Sequence, residues 1–179
     1  GAVYGMRPAE ELPVTEELLP KPADAYSQTK YEAECECMER LGEQDFVIAR
    51  PFNHTGPGQN PHFVCSDFAD QVARGERAGG PSTVRVGDLS AQRDFSDVRD
   101  VVRAYWQLWE HGGSGQAYNV CSGRPVAISE ILGGLLSMAR VDLSVEAEAE
   151  RLRPGEVRCF YGSFAKLEAA VGWRPEYPV

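Results

Sequence analysis

Lysine, and positive charge in general, is scarce in this sequence. Only three of the 179 residues are lysine, and 18 Lys and Arg against 27 Asp and Glu leave a formal net charge of −9. Nucleic acids and anionic membrane surfaces are bound through a positive footprint, so this balance argues against both as partners. A small anionic ligand stays compatible with it, because a few local arginines can hold such a ligand whatever the total charge.

Long apolar runs and metal-binding cysteine patterns are also missing. No stretch approaches the roughly 20 apolar residues that a membrane span needs. The five cysteines include no C-x-x-C pair and no Cys/His cluster with zinc spacing; they are Cys35, Cys37, Cys65, Cys121 and Cys159. We therefore expect no metal site and no membrane span, and we interpret the cysteines as buried, reduced thiols of a cytoplasmic protein.

Apolar periodicity divides the chain into alternating strands and helices. It predicts helices near residues 25–41, 63–75, 98–112, 129–139 and 163–173, and strands near 45–53, 83–88, 93–97, 116–123 and 143–150. The first five residues are interpreted as the end of a strand, and the Pro-rich residues 7–25 as a connecting loop. Strands that alternate with helices predict an α/β fold.

Two of these elements carry stronger local signals. The continuous apolar run Phe46–Ala49 is typical of a strand buried on both faces of a parallel sheet, and the loop HTGPGQN follows at the strand end where ligands bind in such sheets. Asp97 is predicted to cap the helix 98–112. The expected apolar side of that helix is Val98, Val101, Val102, Tyr105 and Leu108, with Trp106 and Trp109 as core or interface residues.

Tyr26 and Lys30 lie one helical turn apart in YSQTK, residues 26–30. A lysine at this spacing stabilises a phenolate, which lowers a tyrosine's pKa and makes it a useful general acid or base for a carbonyl/alcohol couple. The same spacing also describes an ordinary surface pair worth about a few tenths of a kcal/mol. The pair alone leaves both interpretations open.

The surroundings of this pair are more specific. The order VYG, a Pro-rich acidic loop, Y-x-x-x-K and ARPFNHTGPGQ resembles the extended short-chain dehydrogenase/reductase family of nucleotide-sugar epimerases, dehydratases and reductases. The resemblance covers nearly the whole chain, continuing through VGDLSAQRDFSDVRDVVRAY, GQAYNVCSG, RLRPGEV and KLEAAVGWRP. Within the family, FNHTGPGQNPHFVCSDFA, VGDLSAQRDFSDVRDVV and LRPGEV are most similar to the GDP-4-keto-6-deoxy-mannose reductases.

The resemblance implies a division into lobes. Residues 1–52 would form the C-terminal part of a Rossmann domain, the tail end of its parallel sheet. Residues 53–179 would form mostly the smaller, C-terminal substrate-binding α/β lobe, with 97–121 packing back on the Rossmann domain. The resemblance also implies a homodimer through the helix that carries Tyr26, whose second face presents Tyr31, Cys35 and Met38.

The resemblance further assigns roles to individual residues. Tyr26 would be the catalytic acid, and Lys30 would orient the nicotinamide ribose of an NADP or NAD cofactor that Arg50 and Pro51 also contact. The substrate would be a nucleotide-diphosphate sugar, expected to be GDP-linked. Its binding residues would be Asn53, His54, Arg93, Arg153 and Glu156.

The substrate-side roles have simpler alternatives. Arg93 could pair with Asp94 or Asp97 instead of a diphosphate. Asn53 could be a turn residue only, since it enters a Gly/Pro loop. Arg151 competes with Arg153 for the diphosphate role.

The implied reaction is the NADP(H)-dependent reduction of the C4 ketone of a GDP-4-keto-6-deoxy-hexose. A nucleotide-sugar 4-epimerase or 4,6-dehydratase is the alternative within the family. The family's dehydratases carry an Asp-Glu pair just before VYG, where this chain has Gly1 and Ala2. An alternative from another class is a non-catalytic module that binds a nucleotide sugar or a protein partner.

Two parts of the family pattern are missing from these residues. The G-x-x-G-x-x-G loop that wraps a dinucleotide pyrophosphate at a helix N-terminus does not occur. The family's catalytic Ser or Thr is expected just upstream of Gly1. The sequence therefore suggests a C-terminal fragment that lacks the N-terminal Rossmann half and is inactive by itself.

The 179 residues by themselves are expected to bind NADP weakly or not at all, because the glycine-rich pyrophosphate loop is missing. Isothermal titration calorimetry with NADP, and with GDP as the comparison ligand, measures this directly. An NADP affinity equal to that of a complete family member would show the prediction to be wrong.

Overall fold

The computed structural model describes residues 1–151 and 158–179. The helices are α1 (Ala25–Glu39), α2 (Val64–Ala78), α3 (Val98–His111), α4 (Ile128–Met138) and α5 (Ala165–Val171). The strands are β1 (Val47–Pro51), β2 (Asn53–Thr55), β3 (Ser82–Val86), β4 (Gln92–Asp97), β5 (Gln116–Val120), β6 (Pro125–Ala127), β7 (Leu143–Ala147) and β8 (Cys159–Phe160). Within the described ranges, no helix is both long and apolar enough to cross a membrane.

The strands of the described residues form three sheets, in which parallel pairing dominates. β1 pairs in parallel with β5, β2 with β4, and β3 with β7. β4 also pairs in parallel with β8 and antiparallel with β6. Because β1 is followed almost directly by β2, its carboxyl end lies beside the start of the β2–β4 sheet. The predicted α/β class with parallel strands is confirmed.

Three apolar clusters hold these sheets and helices together. One joins α2, α4 and β3, and its most buried members are Phe68, Val84, Val86 and Leu132. Another joins α3, β5 and α5 through Ala104, Leu108, Val120, Leu167 and Trp173. The smallest lies at the N-terminus of the chain and contains Val3, Tyr4, Val14, Phe52 and Cys121.

The first five residues are not the strand end that the sequence suggested. Residues Ala2–Tyr4 form a single 3₁₀ turn, with Tyr4 completely buried. Gly5 ends the turn with a φ of +64°, and a β-carbon there would lie 2.0 Å from the carbonyl oxygen of Lys21. The turn is closed by its own hydrogen bonds, and the carbonyl of Val3 accepts from the backbone N–H of Lys21 (2.8 Å) in the following loop rather than from a neighbouring strand.

The predicted apolar side of α3 is partly wrong. Val101, Ala104 and Leu108 are buried, whereas Val102 and Tyr105 are 60% and 43% exposed. Val101, Ala104 and Leu108 follow one another at i, i+3 and i+7 and form the buried stripe of the helix, so Val102 and Tyr105 lie beyond one edge of it. Trp106 and Trp109 are also exposed, with ring centroids 5.2 Å apart, so they do not belong to the core.

Two burial expectations hold only in part. β1 is parallel as predicted, but Val47, Ile48 and Ala49 are half-buried rather than enclosed on both faces. All five cysteines are free thiols, yet only Cys65 and Cys121 are buried. By contrast, β7 is mostly exposed, as its alternation of acidic and small residues predicted.

A fully buried carboxylate anchors the C-terminal segment to α3. Asp100 accepts hydrogen bonds from the backbone N–H groups of Glu176 and Tyr177, both at 3.0 Å, through one carboxylate oxygen. Its other oxygen accepts from the Arg103 guanidinium at 2.5 Å. The Trp173 indole N–H donates to the Asp100 carbonyl at 3.0 Å. Each acceptor of this residue therefore has a partner.

Asp100→Asn should lower the free energy of unfolding by about 3 kcal/mol, because it removes the charge from a buried ion pair and points an N–H₂ group at a donor. Glu176→Gln is the matched control. It loses only the exposed contact with the same Arg103 and should cost less than about 0.5 kcal/mol. Urea denaturation measures both, and equal losses in the two variants would contradict the assignment.

Candidate active site

The first turn of α1 is fixed by a reciprocal cap around the YSQTK segment. The backbone N–H of Ser27 donates to Oδ1 of Asp24 (2.7 Å), and the backbone N–H of Asp24 donates to Oγ of Ser27 (3.1 Å). Ser27 belongs to this turn and is itself buried. A cap of this kind satisfies the N–H groups that a helix start leaves without partners. It determines where the helix begins and thus where Tyr26 points.

Tyr26 and Lys30 both extend outward from this turn. The ammonium nitrogen of Lys30 lies 5.4 Å from the centroid of the Tyr26 ring, and Tyr26 is 65% exposed. The i,i+4 contact of an ordinary surface pair is therefore formed. The phenol hydroxyl is nevertheless open to a ligand, which a buried core tyrosine would not be.

A cleft of about 430 Å³ opens beside this pair, between α1, β1 and the N-terminal turn. It brings together four residues that the sequence assigned to the cofactor site, Tyr26, Lys30, Arg50 and Pro51. The other lining residues are Gly1, Ala2, Val3, Ala33, Glu34, Cys37, Ile48 and Ala49. The cleft reaches the carboxyl end of a parallel strand, the place where ligands bind in open α/β sheets.

The guanidinium of Arg50 is already occupied within the protein. Its Nε donates to both carboxylate oxygens of Glu34 (3.1 and 3.2 Å), and its Nη2 donates to Oε2 of Glu34 (2.7 Å). The two side chains are only 9% and 14% exposed. Burial by itself works to lower the pKa of Arg50, but hydrogen bonds to Glu34 and Tyr4 raise it overall, so the guanidinium stays charged.

Tyr4 and Asn119 continue this network into the core. Nη1 of Arg50 donates to the Tyr4 hydroxyl (2.8 Å), and that hydroxyl donates to Oδ1 of Asn119 (2.8 Å). The amide N–H₂ of Asn119 then donates to the carbonyl of Val14 (3.0 Å). Burial raises the pKa of Tyr4, although the Arg50 hydrogen bond opposes that shift. The phenol is therefore neutral and serves as a structural link.

Sequence reasoning missed Glu34, Tyr4 and Asn119 as parts of the site. Glu34 left one usable signal, because it lies one turn beyond Lys30 on the face that carries Tyr26. Tyr4 and Asn119 are 115 residues apart and left none.

The substrate-side candidates lie on the neighbouring sheet. Asn53 begins β2, opposite Phe95 of β4, and its amide donates to the carbonyl of Asp94 (3.3 Å). Nδ1 of His54 lies 3.0 Å from the carbonyl oxygen of Phe52, so that nitrogen carries the hydrogen. Asn53 is exposed, whereas His54 is half-buried.

Arg93 lies on β4, and the acidic residues named as its alternative partners, Asp94 and Asp97, have further contacts of their own. Asp97 caps α3, accepting from the backbone N–H of Arg99 (2.8 Å), and pairs with the Arg99 guanidinium. The buried Asp94 accepts from Ser122 (2.7 Å) and from the backbone of Gly123 (3.0 Å). Burial raises the pKa of Asp94, while these hydrogen bonds act to lower it. Arg93 itself is half-buried, and its Nη1 donates to the carbonyl of Gln92 (2.8 Å).

Arg153 and Glu156 lie outside the described residues. Arg151, the competitor of Arg153 for the diphosphate role, is engaged in two ion pairs, with Asp67 (2.7 Å) and with Glu148 (2.9 Å). A guanidinium held by two carboxylates has fewer donors left for a diphosphate. Across residues 1–151 and 158–179, no cluster of His, Cys, Asp or Glu side chains is arranged to hold a metal ion.

An exposed phenol beside an ammonium can donate a proton and stabilise the anion that remains. The fold, with its parallel strands and a cleft at a strand's carboxyl end, is that of the extended short-chain dehydrogenase/reductase class of Rossmann-type proteins. The sequence of residues 1–179 matches the family described as GDP-mannose 4,6 dehydratase, and the chain belongs to that family.

Several characterised proteins are similar to this chain. GDP-6-deoxy-D-mannose reductase from Pseudomonas aeruginosa is 40% identical over 181 residues, which cover 100% of this chain and 60% of that protein. The structure of RMD from P. aeruginosa complexed with NADPH is also 40% identical and has a TM-score of 0.93, covering 99% of this chain and 60% of that one. UDP-glucose 4-epimerase from Thermotoga maritima with UDP-glucose is 26% identical with a TM-score of 0.83, over 99% and 56%.

The Tyr4 hydroxyl is a buried link between two partners, so Tyr4→Phe should lower the free energy of unfolding by about 1–3 kcal/mol. The same change at Tyr177, which is 39% exposed and keeps its ring over Arg99, should cost less than about 0.5 kcal/mol. Chemical denaturation of the two variants tests this. No loss at Tyr4 would mean that the network does not stabilise the fold.

Proposed function

We propose that this chain supplies the catalytic tyrosine and the substrate side of an NADP(H)-dependent nucleotide-sugar reductase. The proposed reaction reduces the C4 ketone of a GDP-4-keto-6-deoxy-hexose to an alcohol. The observation that carries the proposal is the exposed Tyr26 phenol with the Lys30 ammonium beside it, at the mouth of a cleft. The 40% identity to a GDP-6-deoxy-D-mannose reductase supports the choice of reaction.

Tyr26 and Lys30 have separate roles in this reaction. When bound, the reduced dinucleotide supplies a hydride to C4 of the sugar. The Tyr26 hydroxyl donates its proton to the C4 oxygen, which would otherwise become an alkoxide, and the ketone becomes an alcohol. The Lys30 ammonium stabilises the negative charge left on the tyrosine oxygen.

The residues of the cleft fit a nicotinamide ribose. Lys30 is exposed and has three N–H donors for ribose hydroxyls. The one carboxylate in the lining, that of Glu34, is neutralised by Arg50 and does not repel an anionic cofactor. Arg50 and Pro51 form part of the wall of the cleft. The Arg50 guanidinium is bound to Glu34 and does not contact the cofactor as a free group. The NADPH complex of the similar P. aeruginosa protein supports NADP(H) over NAD(H).

Asn53, His54 and Arg93 form the proposed substrate side, together with Arg153 and Glu156 beyond the described residues. β2 and β4 bring the three described residues onto adjacent strands at the carboxyl end of β1. A guanidinium and an amide are donors suited to diphosphate oxygens. GDP-linked sugars are the proposed substrates.

The proposed division into lobes follows the same strands. Residues 1–52 form the cofactor side and residues 53–179 mostly the substrate side. Within the second range, residues 97–121 pack back on the cofactor side. The pairing of β5 with β1 supports that return, as does the packing of Val47 and Ala49 against the cluster of α3.

Two further properties are part of the proposal. The five free thiols support a cytoplasmic, reducing location. The second face of α1 presents the 42% exposed Met38 for a homodimer, with Cys35 half-buried and Tyr31 packed in part against the cluster that contains Tyr4. Sedimentation that gives a monomer at micromolar concentration would count against the dimer.

A nucleotide-sugar 4-epimerase is the second candidate, and the similarity to the T. maritima epimerase favours it. Gly1 and Ala2, in place of an acidic pair, speak against a 4,6-dehydratase. A non-catalytic module that binds a nucleotide sugar is the candidate from another class. GDP binding without turnover of any keto-sugar in the natural protein would support this last one.

Tyr26→Phe should lower kcat about 10²- to 10⁴-fold, because the proton donor is lost, while leaving GDP binding unchanged. The measurement is NADPH oxidation with a GDP-4-keto-6-deoxy-hexose in the natural protein that contains these residues, and GDP calorimetry reports binding. Tyr177→Phe is the matched control and should keep full activity. Equal activity of the Tyr26 variant and the control would exclude Tyr26 as the acid.

A further inference from the structure

Glu34 lies where it could compete for the Lys30 ammonium. Tyr26, Lys30 and Glu34 follow one another at i, i+4 and i+8 on α1, and all three line the same cleft. Side chains of a helix lean towards its N-terminus, so a free Glu34 carboxylate would extend towards Lys30. Opposite charges at this spacing attract each other. Such a pair would draw the ammonium away from the Tyr26 ring.

Arg50 prevents this competition. Its guanidinium binds Glu34 through Nε and Nη2, at distances of 2.7 to 3.2 Å, and satisfies both carboxylate oxygens. The fork geometry of arginine suits a carboxylate better than the single ammonium of lysine. Arg50 is held in turn by the Tyr4 hydroxyl at 2.8 Å, with the Tyr4 ring centroid 5.0 Å from its guanidinium carbon. Glu34 is therefore turned towards β1 and away from Lys30.

We infer that Arg50 is a positioning residue, which acts through Glu34 to keep the Lys30 ammonium beside Tyr26. The consequence for proton transfer rests on the proposed function, but the placement of Lys30 does not. Arg50 thus influences the reaction without having to touch cofactor or substrate. Its side chain, 9% exposed, is placed for that indirect role.

The inference is measurable in the natural protein without any assay of turnover, through the small number of lysines in this sequence. Lys21, Lys30 and Lys166 are its three lysines, and the amine of each can be followed separately by peptide mass spectrometry after brief labelling with acetic anhydride. An ammonium held by a carboxylate reacts more slowly than a free one. Lys21 is exposed and Lys166 donates to Gln116 (2.9 Å), so both serve as internal references away from Glu34.

Arg50→Met should reduce the labelling rate of Lys30 up to about twofold, the size expected for an i,i+4 ion pair on a helix. Lys21 and Lys166 should be unchanged. The double variant Arg50→Met/Glu34→Gln should restore the Lys30 rate, because no carboxylate is left to compete. If Arg50 had a purely structural role, its replacement would change the labelling rates of all three lysines, or the added Glu34→Gln change would fail to restore the rate of Lys30.

Two milder variants keep the test decisive if Arg50→Met does not fold, as judged by circular dichroism. Arg50→Lys retains a cation but loses the fork, and should slow Lys30 by a smaller factor. Glu34→Gln alone should leave Lys30 unchanged, since Arg50 already holds that carboxylate. A faster Lys30 in Glu34→Gln, or an unchanged rate in every Arg50 variant, would overturn the inference.

The catalytic consequence is measured separately in the natural protein. Arg50→Lys should lower kcat several-fold in the normal background but have little further effect when Lys30 is already replaced by Gln, because the two residues act on one step. Equal effects in both backgrounds would contradict the link to Lys30. If the natural protein reduces no keto-sugar, the proposed function fails, while the labelling result still stands or falls by itself.

Discussion

The cleft depends on one buried ion pair, between Arg50 of β1 and Glu34 of α1. The pair joins the helix that carries Tyr26 and Lys30 to the strand that forms the cleft wall. Taking two charges out of water costs several kcal/mol per ion unless each is paired and hydrogen-bonded. Here the Tyr4 hydroxyl accepts from Arg50 and donates to Asn119, so the hydrogen bonding of the pair continues into the core.

Buried carboxylates perform a related task on the substrate side. Asp94 accepts backbone hydrogen bonds from the loop after β5 and from Gly162, and Asp100 does the same for the C-terminal segment. Loops that pack against a core must satisfy their N–H groups, because an orphaned buried donor costs as much as a lost hydrogen bond. These two carboxylates hold the loop after β5 and the C-terminal segment against β4 and α3.

Elements with a local cause were predictable from the sequence. The Asp97 cap, the helices around Tyr26 and Phe68, and the exposed β7 all follow from periodicity and nearest neighbours. The short strands β6 and β8 were missed, since two or three residues carry no period and pair only where β4 meets them. The face of α3 was misjudged because the apolar pattern extends round the helix to Val102 and Tyr105, whereas the tertiary packing covers only the stripe of Val101, Ala104 and Leu108.

The sequence by itself determined the groups of the candidate site and their order: a tyrosine and a lysine one turn apart, followed by a strand and a Gly/Pro loop. That spacing is a property of any α-helix. Only the tertiary structure decided what the neighbouring charges do. Tyr4 and Arg50 are 46 residues apart, and Arg50 and Glu34 are 16 apart. No local pattern links them, because a buried ion pair is selected by the partners that folding brings within hydrogen-bond distance.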